Sequence, residues 1–261
     1  MTRDLAAVVL AAGFGTRLRP LTNLVPKALC PVNNEPLADR AIGACRTVTT
    51  SIAINAHAQA DQIVERYSDR RDLHVDVERP EALGTAGALG NLTSWIDGRD
   101  VLVHNADAWH DADVAATVVD GWDRKTMRLL VVPRPPQADF GEHLYAGVCL
   151  LPWDRVEKLS PEPTGLYEVL WRDAAEGELE LVVHDGAWFD CGTPQSYLAA
   201  NLHASGGRSV IAPDAVVGGG AEIVDSVVWP GAVVAAGERL HRVIRAPGGL
   251  TVDAGGDGDA S

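Results

Sequence analysis

The sequence has no long apolar run, few cysteines and little positive charge. No stretch reaches the roughly 18 consecutive apolar residues of a membrane-spanning helix. The four cysteines form no C-x-x-C pair, so neither a disulfide framework nor a thiolate metal site is expected and the thiols are predicted to be reduced. The formal net charge of −14 disfavours nucleic acid and anionic membrane, because both are bound through distributed lysine and arginine. We therefore expect a soluble, cytoplasmic protein, with small phosphorylated ligands open as partners.

Two familiar nucleotide-binding loops are also absent, although a glycine turn follows the first apolar strand, at Gly13 and Gly15. A dinucleotide-binding G-x-G-x-x-G loop would need a third glycine where Leu18 stands, and a Walker loop would need Gly-Lys-Ser/Thr. The two glycines allow positive φ angles and let an oxygen-rich ligand approach backbone N–H groups. Such a pair alone is more often an ordinary turn between a strand and a helix.

Positive charge is concentrated next to this turn. Residues 1–30 hold four basic side chains, Arg3, Arg17, Arg19 and Lys27, against Asp4 alone. Arginine can make forked hydrogen bonds to phosphate oxygens, and lysine can place a point charge beside them. Each of these side chains could instead be a solvated surface charge, so the spacing alone leaves both interpretations open.

Strand and helix patterns alternate along residues 5–205, which predicts an α/β fold, Rossmann-like, with a mainly parallel, mixed sheet flanked by helices. Ligands of such sheets bind outside the carboxyl ends of the strands, where the first glycine turn, the Gly84–Gly87 loop and Asp107 are predicted to lie. After the first strand, the predicted strands are Ser51–Asn55, Leu73–Glu78, Asp100–Asn105, Met127–Pro133, Tyr145–Leu151 and Leu179–His184, with a loop at Pro133, Pro135 and Pro136. The predicted helices are Pro36–Val48, Asp61–Tyr67, a helix through Leu89, Leu92 and Ile96, Gly165–Ala175, and one that begins at Thr193 and Pro194 and runs to about His203.

The last part of the sequence can be divided into hexads from Ile211, most of them led by an apolar residue. This period is typical of a left-handed β-helix. The register supports about two coils, fewer than the roughly three that such a unit needs to be stable alone, so the segment is expected to pack on the main domain or on another subunit. An irregular tail rich in Gly, Ala and Val is the alternative. We predict a main domain over 1–206, a β-helix-like segment over 207–246 and a disordered tail over 247–261.

Leu10–Thr22 reads LAAGFGTRLRPLT, and Pro26 and Lys27 follow it closely. This segment resembles, without a gap, the signature L-A-A-G-x-G-T-R-L-x-P-L-T and P-K of the sugar-phosphate nucleotidyltransferases, also called NDP-sugar pyrophosphorylases. Trp188–Pro194 is similar to the family's W-x-D-x-G-T-P segment, and Asn105–Asp107 resembles its N-x-D motif. The LGTAG and WFDCGTP segments are most similar to those of mannose 1-phosphate guanylyltransferases and N-acetylmuramate 1-phosphate uridylyltransferases.

The resemblance implies transfer of a nucleotidyl group from an NTP to a sugar 1-phosphate, with Mg²⁺ as cofactor, giving an NDP-sugar and pyrophosphate. Arg17 and Lys27 would be catalytic, contacting the triphosphate and stabilising the transition state. Asp107 and Asp190 would bind the Mg²⁺, although a turn or helix-capping aspartate is the alternative at Asp107. The nucleotide would bind Leu10, Ala11, Ala12, Gly13, Gly15, Thr16, Arg17, Glu78, Gly84 and Thr85. The sugar phosphate would contact Asn105, Tyr145 and Gly147.

The predicted sugar pocket is where the sequence departs from this family. Many members have a second lysine before the strand that corresponds to Tyr145–Leu151, whereas this chain has Arg134 and His143 as the basic groups there. Tyr145 also stands where the family has asparagine. Asn55 and His57 resemble an N-x-H element of several members, and the sequence assigns them no role.

Two other functions remain open on the sequence alone. An acceptor of the phosphocholine type would need aromatic contacts to a quaternary ammonium group, which Trp109, Trp171 and Trp188 could provide. A catalytically silent regulatory subunit would keep the fold and bind a sugar nucleotide, but it would be expected to lose Lys27 or one of the aspartates. The sequence specifies neither the nucleobase nor the sugar, and a homo-oligomer formed through the C-terminal segment is a further expectation.

Overall fold

The structure is a computed structural model that describes residues 4–134 and 137–255 of the chain, so Pro135 and Pro136 of the predicted loop lie outside the described residues. Two compact units are present. The sheet unit comprises Met1–Phe14 and Ala38–Trp188, and the coil unit comprises Gly15–Leu37 and Phe189–Ser261. The predicted division at residues 206 and 207 follows chain order, whereas these units interleave in sequence. A hexad pattern reports a local repeat and carries no information on such long-range contacts.

The strands, in chain order, are β1 (Leu5–Leu10), β2 (Pro31–Val32), β3 (Glu35–Pro36), β4 (Ile52–Ala56), β5 (Leu73–Val77), β6 (Asp100–Asn105), β7 (Ala108–His110), β8 (Met127–Pro133), β9 (His143–Leu151), β10 (Leu179–Val183), β11 (Trp188–Asp190), β12 (Val210–Ile211), β13 (Val216–Val217), β14 (Glu222–Val224), β15 (Val227–Val228), β16 (Val233–Val234), β17 (Arg239–His241), β18 (Val243–Arg245) and β19 (Thr251–Asp253). The α-helices are α1 (Leu37–Arg46), α2 (Ala60–Tyr67), α3 (Gly84–Asn91), α4 (Thr93–Ile96), α5 (Val114–Val119), α6 (Trp153–Val156) and α7 (Pro194–Ala204). Short 3₁₀ turns form at Thr16–Leu18, Leu21–Asn23, Lys27–Leu29 and Pro247–Gly249, and a π-helical turn forms at Tyr167–Trp171.

The sheet unit is built around one seven-stranded sheet with the order β10-β8-β9-β6-β1-β4-β5. β9 is antiparallel to β6 and β8, and the other neighbouring strands are parallel. The prediction of a mainly parallel, mixed sheet is therefore confirmed. β1 lies inside the sheet between β6 and β4, with its first five side chains buried on both faces, which explains why it reads as a continuous apolar run without alternation.

Several short elements of the sheet unit have no counterpart in the predictions, namely β7, α5 and α6. They are shorter than the windows over which apolar periodicity distinguishes a helix from a strand. The predicted helix over Gly165–Ala175 is wrong in extent, because only the π-helical turn at Tyr167–Trp171 forms there. The predicted helix through Leu89 and Ile96 is two helices, α3 and α4, with a break at Leu92.

The coil unit contains a stack of short parallel strands. Val210 of β12 lies opposite Val227 of β15, which in turn lies opposite Ile244 of β18, a step of 17 residues each time. β13 pairs with β16 and β14 pairs with β17 at the same step. Three short strands make one coil, and two coils form, as the hexad register predicts. The step is shorter than three hexads because the last strand of each coil is followed closely by the next strand, as in β14–β15 and β17–β18.

Residues 247–255 do not form the disordered tail that their composition predicts. The turn at Pro247–Gly249 reverses the chain, and β19 pairs antiparallel with β18, with Val252 opposite Ile244. The prediction of disorder from glycine content is wrong here because two of the glycines form an ordered turn. Gly248 and Gly249 supply the positive φ angles, 72° and 75°, that this turn requires. β19 thereby covers the edge on which a third coil would continue. Residues 256–261 of the predicted tail lie outside the described part of the chain.

The coils pack on other elements of the coil unit, as expected for a stack too short to be stable alone. The indole Nε1–H of buried Trp229 donates a hydrogen bond to the hydroxyl of Tyr197 at 2.9 Å. That hydroxyl donates to the carbonyl of Pro31, which ties the coils, α7 and β2 together. α7 begins as predicted, because Thr193 caps it by accepting from the Ser196 amide and Pro194 occupies its first turn.

All four cysteines are buried and none forms a disulfide. Burial raises the pKa of Cys30, Cys45 and Cys149 to about 12, so these thiols stay protonated and unreactive near neutral pH. Within the described ranges, every helix is too short or too polar to cross a membrane.

Candidate functional site

The carboxyl ends of three neighbouring strands, β6, β1 and β4, border a cavity of about 210 Å³ in the sheet unit. Its position at this edge is the one that the α/β pattern predicts. Most of its lining consists of predicted site residues, to which the structure adds Ala82 and Asn55, a residue to which the sequence assigned no role. The lining residues are Leu10, Ala12, Gly13, Asn55, Ala82, Gly84, Thr85, Asn105 and Asp107.

A buried hydrogen-bond network holds the segments around this cavity in place. Asn55 Oδ1 accepts from the Ala11 amide at 2.6 Å, and Asn55 Nδ2 donates to Glu78 Oε1 at 2.6 Å. The other carboxylate oxygen, Glu78 Oε2, accepts from the Leu83 amide at 2.7 Å. Asn55 and Glu78 are each only 2% exposed. Burial raises the pKa of Glu78, while the hydrogen bonds from Leu83 and Asn55 act in the opposite direction.

This network gives Glu78 a structural role, and its predicted nucleotide contact stays a prediction. The sequence predicts a nucleotide contact, yet both carboxylate oxygens are engaged by neighbours within the sheet unit. Glu78 thus positions the segment that leads into α3, and Asn55 positions the end of β1. The available sequence signal was the N-x-H element of Asn55 and His57, a polar residue in an otherwise apolar strand. His57 adds a contact of 3.1 Å between its Nδ1 and the Glu78 carbonyl.

Three glycines in and just after the LGTAG segment allow another part of the chain to pack closely against α3. A Cβ atom at Gly84, Gly87 or Gly90 would meet the backbone of Thr164, Glu162 or Ser160 at 2.5, 2.3 and 2.3 Å respectively. The chain at 160–164 therefore lies directly on one face of α3. The G-x-x-G-x-x-G spacing of that face was the signal for this contact in the sequence.

The same strip of chain holds the first turn of α3. The Thr164 carbonyl accepts from the Ala86 amide at 3.0 Å and from the Gly87 amide at 3.4 Å. The Thr85 hydroxyl accepts from the Leu166 amide at 2.8 Å. Gly84 and Thr85, which line the cavity, are consequently fixed by residues that the sequence did not connect with it.

A glycine-to-alanine comparison tests this packing. We expect Gly87→Ala to lower the free energy of unfolding by about 1–3 kcal/mol, because its Cβ must displace the Glu162 backbone. Gly43, inside α1, is the matched control because a Cβ atom there would meet no other atom within 4 Å. We expect Gly43→Ala to raise the free energy of unfolding by about 0.5–1 kcal/mol. Denaturant unfolding measures both, and equal effects at the two sites would contradict the assigned contact.

In the coil unit, the two predicted catalytic cations both form ion pairs with one predicted metal ligand. Arg17 Nη2 is 3.1 Å from Asp190 Oδ2, and Lys27 Nζ is 3.3 Å from Asp190 Oδ1. The Lys27 side chain is 11% exposed, whereas those of Arg17 and Asp190 are 66% and 41% exposed. The structure therefore brings together three residues that sequence spacing could not pair. We call Arg17, Lys27 and Asp190 the charge cluster.

Two glycines make room for the charge cluster. Gly15 has φ 59°, and a Cβ there would meet Thr22 Cγ2 at 2.8 Å and Lys27 Cβ at 3.1 Å. The Thr22 hydroxyl donates to the Gly15 carbonyl at 2.8 Å, which fixes the turn before the 3₁₀ segment that starts at Thr16. A Cβ at Gly192 would lie 2.9 Å from both Asp190 oxygens. Gly15 is therefore required by its backbone conformation, and a side chain at Gly192 would have to displace the Arg17 and Asp190 ends of the charge cluster.

The predicted sugar-phosphate residues lie in different surroundings. Gly147, with φ 84°, is close to Asn105, because a Cβ there would lie 3.3 Å from Asn105 Cβ. Tyr145 instead packs in the core, with its ring centroid 4.8 Å from that of Trp171. Burial raises the pKa of its hydroxyl well above the ordinary value. Tyr145 does not line the described cavity, so its predicted sugar contact stays a prediction.

A row of three buried histidines lies in the sheet unit. The His104 and His110 ring centroids are 5.6 Å apart, and those of His110 and His184 are 5.7 Å apart. His110 Nε2–H donates to the Ala146 carbonyl at 2.8 Å. Burial lowers the pKa of His104 to about 4 and that of His110 to about 3. Both are therefore neutral near pH 7 and support the strands structurally.

The lowered pKa values of His104 and His110 predict that the folded protein loses stability in mild acid. In the unfolded chain each takes up a proton near pH 6.5, whereas in the folded chain His104 does so only near pH 4 and His110 near pH 3. Their contribution is complete above pH 6.5 and falls as the pH drops from there towards 4, by up to about 1.4 kcal/mol per pH unit for each. We expect His104→Gln to remove about half of this slope in denaturant titrations. Exposed His241 gives the control, and an equal change on His241→Gln would contradict the assignment.

This chain is similar to known proteins in sequence and in fold. The model of the nucleotidyl transferase family matches residues 6–142. The chain is 31% identical over 231 residues to the N-acetylmuramate alpha-1-phosphate uridylyltransferase of Caulobacter vibrioides, covering 74% of this chain and 94% of that protein. It is 29% identical over 288 residues to a protein of Oryza sativa subsp. japonica named as a probable mannose-1-phosphate guanylyltransferase, covering 90% and 80%.

One solved structure resembles nearly the whole chain in fold. It is a Thermus thermophilus protein described as a mannose-1-phosphate geranyltransferase, with a TM-score of 0.68 and 17% identity. The similarity covers 96% of this chain and 95% of that one. At this identity the comparison supports the fold alone.

Proposed function

Because the chain belongs to the nucleotidyl transferase family, we propose that it transfers a nucleotidyl group from an NTP to a sugar 1-phosphate. A phosphate oxygen of the sugar 1-phosphate attacks the α-phosphorus, the bond from that phosphorus to the α–β bridging oxygen breaks, and pyrophosphate leaves with the bridging electron pair. The products are an NDP-sugar and pyrophosphate. The observation that carries the proposal is the charge cluster, since it places two cations of the family signature side by side.

Arg17 and Lys27 supply the positive charge that this reaction needs to stabilise its transition state. Phosphoryl chemistry of this kind depends on positioning and on neutralising charge, with little covalent work for the protein. We assign to Lys27 a point charge held in a largely buried position, and to Arg17 forked hydrogen bonds at a more exposed one. Asp190 holds both side chains side by side, so the cations are preorganised for the negative charge of the leaving pyrophosphate.

The residues present fit Mg²⁺ as the cofactor. Among the described residues, no group of three or more His, Cys, Asp or Glu side chains could hold a metal. Mg²⁺ does not need such a cage, because it is usually bound by one or two carboxylates and by substrate phosphates. Asp107, which lines the cavity of the sheet unit, and Asp190 of the coil unit are the proposed carboxylates, each as a separate proposal. Bound Mg²⁺ would neutralise charge on the triphosphate.

The proposed nucleotide site is the cavity at the ends of β6, β1 and β4. Gly13, Gly84 and Thr85 offer backbone and hydroxyl groups there, and apolar Leu10 and Ala12 offer a surface for a base. Asn55, which itself lines the cavity, and Glu78 hold these segments through their hydrogen bonds. We propose the remaining predicted contacts at Ala11, Gly15, Thr16, Asn105 and Gly147 on the family resemblance, although the Ala11 amide is already engaged by Asn55.

The two alternative functions find less support. Trp109 is buried and its ring is covered by the Arg40 guanidinium at 4.7 Å, and Trp171 packs against Tyr145 in the core. Neither ring is open to a quaternary ammonium group. A silent regulatory subunit would be expected to lose part of the charge cluster, and all three residues are present and in contact. The predicted homo-oligomer and cytoplasmic location stay predictions.

A substrate matrix tests the proposed function. Purified protein with Mg²⁺ would be assayed for pyrophosphate release with ATP, GTP, CTP, UTP and dTTP, each crossed with a panel of sugar 1-phosphates and with phosphocholine. We expect release that requires both an NTP and one sugar 1-phosphate. Pyrophosphate release with phosphocholine as the only accepted acceptor would overturn the choice of a sugar 1-phosphate. If no pair gives release and the protein still binds a sugar nucleotide, the silent regulatory subunit is the better description.

A further inference from the structure

A second cavity, of about 290 Å³, opens in the sheet unit beside α6. Its polar lining consists of Arg155, Lys158, Ser160 and Thr164. We call it the α6 cavity. None of its lining residues lines the cavity at the ends of β6, β1 and β4, so the two are distinct sites.

The charge of the α6 cavity is unusual for this chain. The protein has a net charge of −14 and three lysines, yet one of these lysines and one arginine face the same cavity, and no acidic side chain belongs to its described lining. Arg155 Nη2 pairs with Glu178 Oε1 at 2.7 Å. Its Nε is buried and has no hydrogen-bond acceptor among the described residues. Arg155 and Lys158 both line the cavity, and two cationic side chains without a carboxylate in the described lining point to an anionic ligand.

The rest of the lining defines the kind of anion. Ser160 and Thr164 carry hydroxyl groups, which can donate hydrogen bonds to phosphate oxygens. The remaining wall is apolar and consists of Leu159, Val169 and Leu170. A cavity of about 290 Å³ is larger than a bare phosphate needs. The combination suits a phosphate monoester with a small organic group.

The first turn of α3 separates the two cavities. Gly84 and Thr85 line the nucleotide cavity, while the next residue, Ala86, lines the α6 cavity. Thr164 also lines the α6 cavity, and its carbonyl accepts the Ala86 amide hydrogen bond. A ligand that shifts Thr164 would therefore act directly on the turn that carries Gly84 and Thr85.

We propose that the α6 cavity is a regulatory site for a phosphate monoester, and that its occupancy changes the affinity of the neighbouring cavity for nucleotide. The binding part is independent of the proposed function, and the coupling part rests on it. The coupling is reciprocal, so nucleotide changes the affinity for the monoester by the same factor.

Binding is tested by calorimetry with two probes, inorganic phosphate and glucose 6-phosphate, on the wild type and three variants. Lys158→Gln is the test variant, and its exposed side chain makes a folding defect unexpected. We expect it to weaken binding about tenfold, the loss of one hydrogen bond to a charged group. Lys125→Gln, a lysine outside the cavity, and Lys27→Met should leave the affinity unchanged. Tighter binding of glucose 6-phosphate than of phosphate supports a monoester, and the reverse order assigns the cavity to free phosphate.

Two results would overturn the proposal. Binding that is lost in Lys27→Met and kept in Lys158→Gln would place the anion at the charge cluster. The absence of saturable binding by either probe would show that the α6 cavity is no anion site. The coupling part is measured as the dissociation constant of an NTP with and without saturating glucose 6-phosphate, and an unchanged constant in a protein that binds both would refute it. A protein that binds the probes but lacks transferase activity would refute the proposed function and leave this site standing.

Discussion

Replacing Lys27 with methionine is expected to lower kcat about a hundred- to a thousandfold, the usual cost of removing one preorganised group that stabilises transition-state charge. Lys27 lies in a largely buried position, where a point charge interacts more strongly than in water. Methionine keeps an unbranched side chain of similar length, and Arg17 remains in contact with Asp190, so the fold should tolerate the change. The measurement is steady-state pyrophosphate release with the best substrate pair from the matrix.

Lys125→Met is the matched control for this prediction. Lys125 is one of the chain's three lysines, its amide hydrogen-bonds Asp123 in an exposed turn, and no role in the proposed site attaches to it. Its kcat should stay within about twofold of the wild type, since surface substitutions rarely have larger effects. Turnover that survives in Lys27→Met would remove the charge cluster from the mechanism.

Asn55→Ala is expected to produce the largest loss of stability. It leaves Glu78 Oε1 and the Ala11 amide without their partner in a buried network, and each unsatisfied group costs about 1–3 kcal/mol. The free energy of unfolding should therefore fall by about 2–6 kcal/mol. The KM for the NTP should also rise, because the end of β1 loses the contact that fixes it.

The control for Asn55 is another asparagine that donates to a carboxylate. Asn91 Nδ2 donates to Asp76 Oδ2 at 2.9 Å on the exposed surface. Asn91→Ala should change the free energy of unfolding by about 0.5 kcal/mol or less, because water replaces the lost partner. Denaturant unfolding and NTP titrations of both variants give the comparison. Equal losses at the two sites would show that burial of the Asn55–Glu78 pair is not what matters.

The sequence was sufficient for features that are encoded locally. The continuous apolar run of β1, the alternation in Leu73–Val77 and the Thr193-Pro194 start of α7 each follow from residues that are close in sequence. The glycine turn with its basic residues was recognisable because the whole motif lies between Leu10 and Lys27. The two coils followed from a hexad period for the same reason.

The remainder depends on contacts between distant segments. Asp190 reaches Lys27 across 163 residues, and nothing in the spacing indicates that its oxygens hold both signature cations. The partnership of Asn55 with Glu78 likewise arises from the order of strands in the sheet, and it shows a supporting role that the sequence did not indicate. The contact of α3 with Thr164 was visible only as a glycine period, which by itself does not name its partner.

The most direct test of the central claim follows the α-phosphate. An NTP labelled with ³²P at the α-position would be incubated with the active sugar 1-phosphate, Mg²⁺ and the protein, and the products separated. The proposed in-line attack predicts that the label appears in the NDP-sugar, with unlabelled pyrophosphate formed in equal amount. Label recovered as nucleoside monophosphate or diphosphate, with the sugar 1-phosphate unchanged, would contradict nucleotidyl transfer and make the chain a hydrolase.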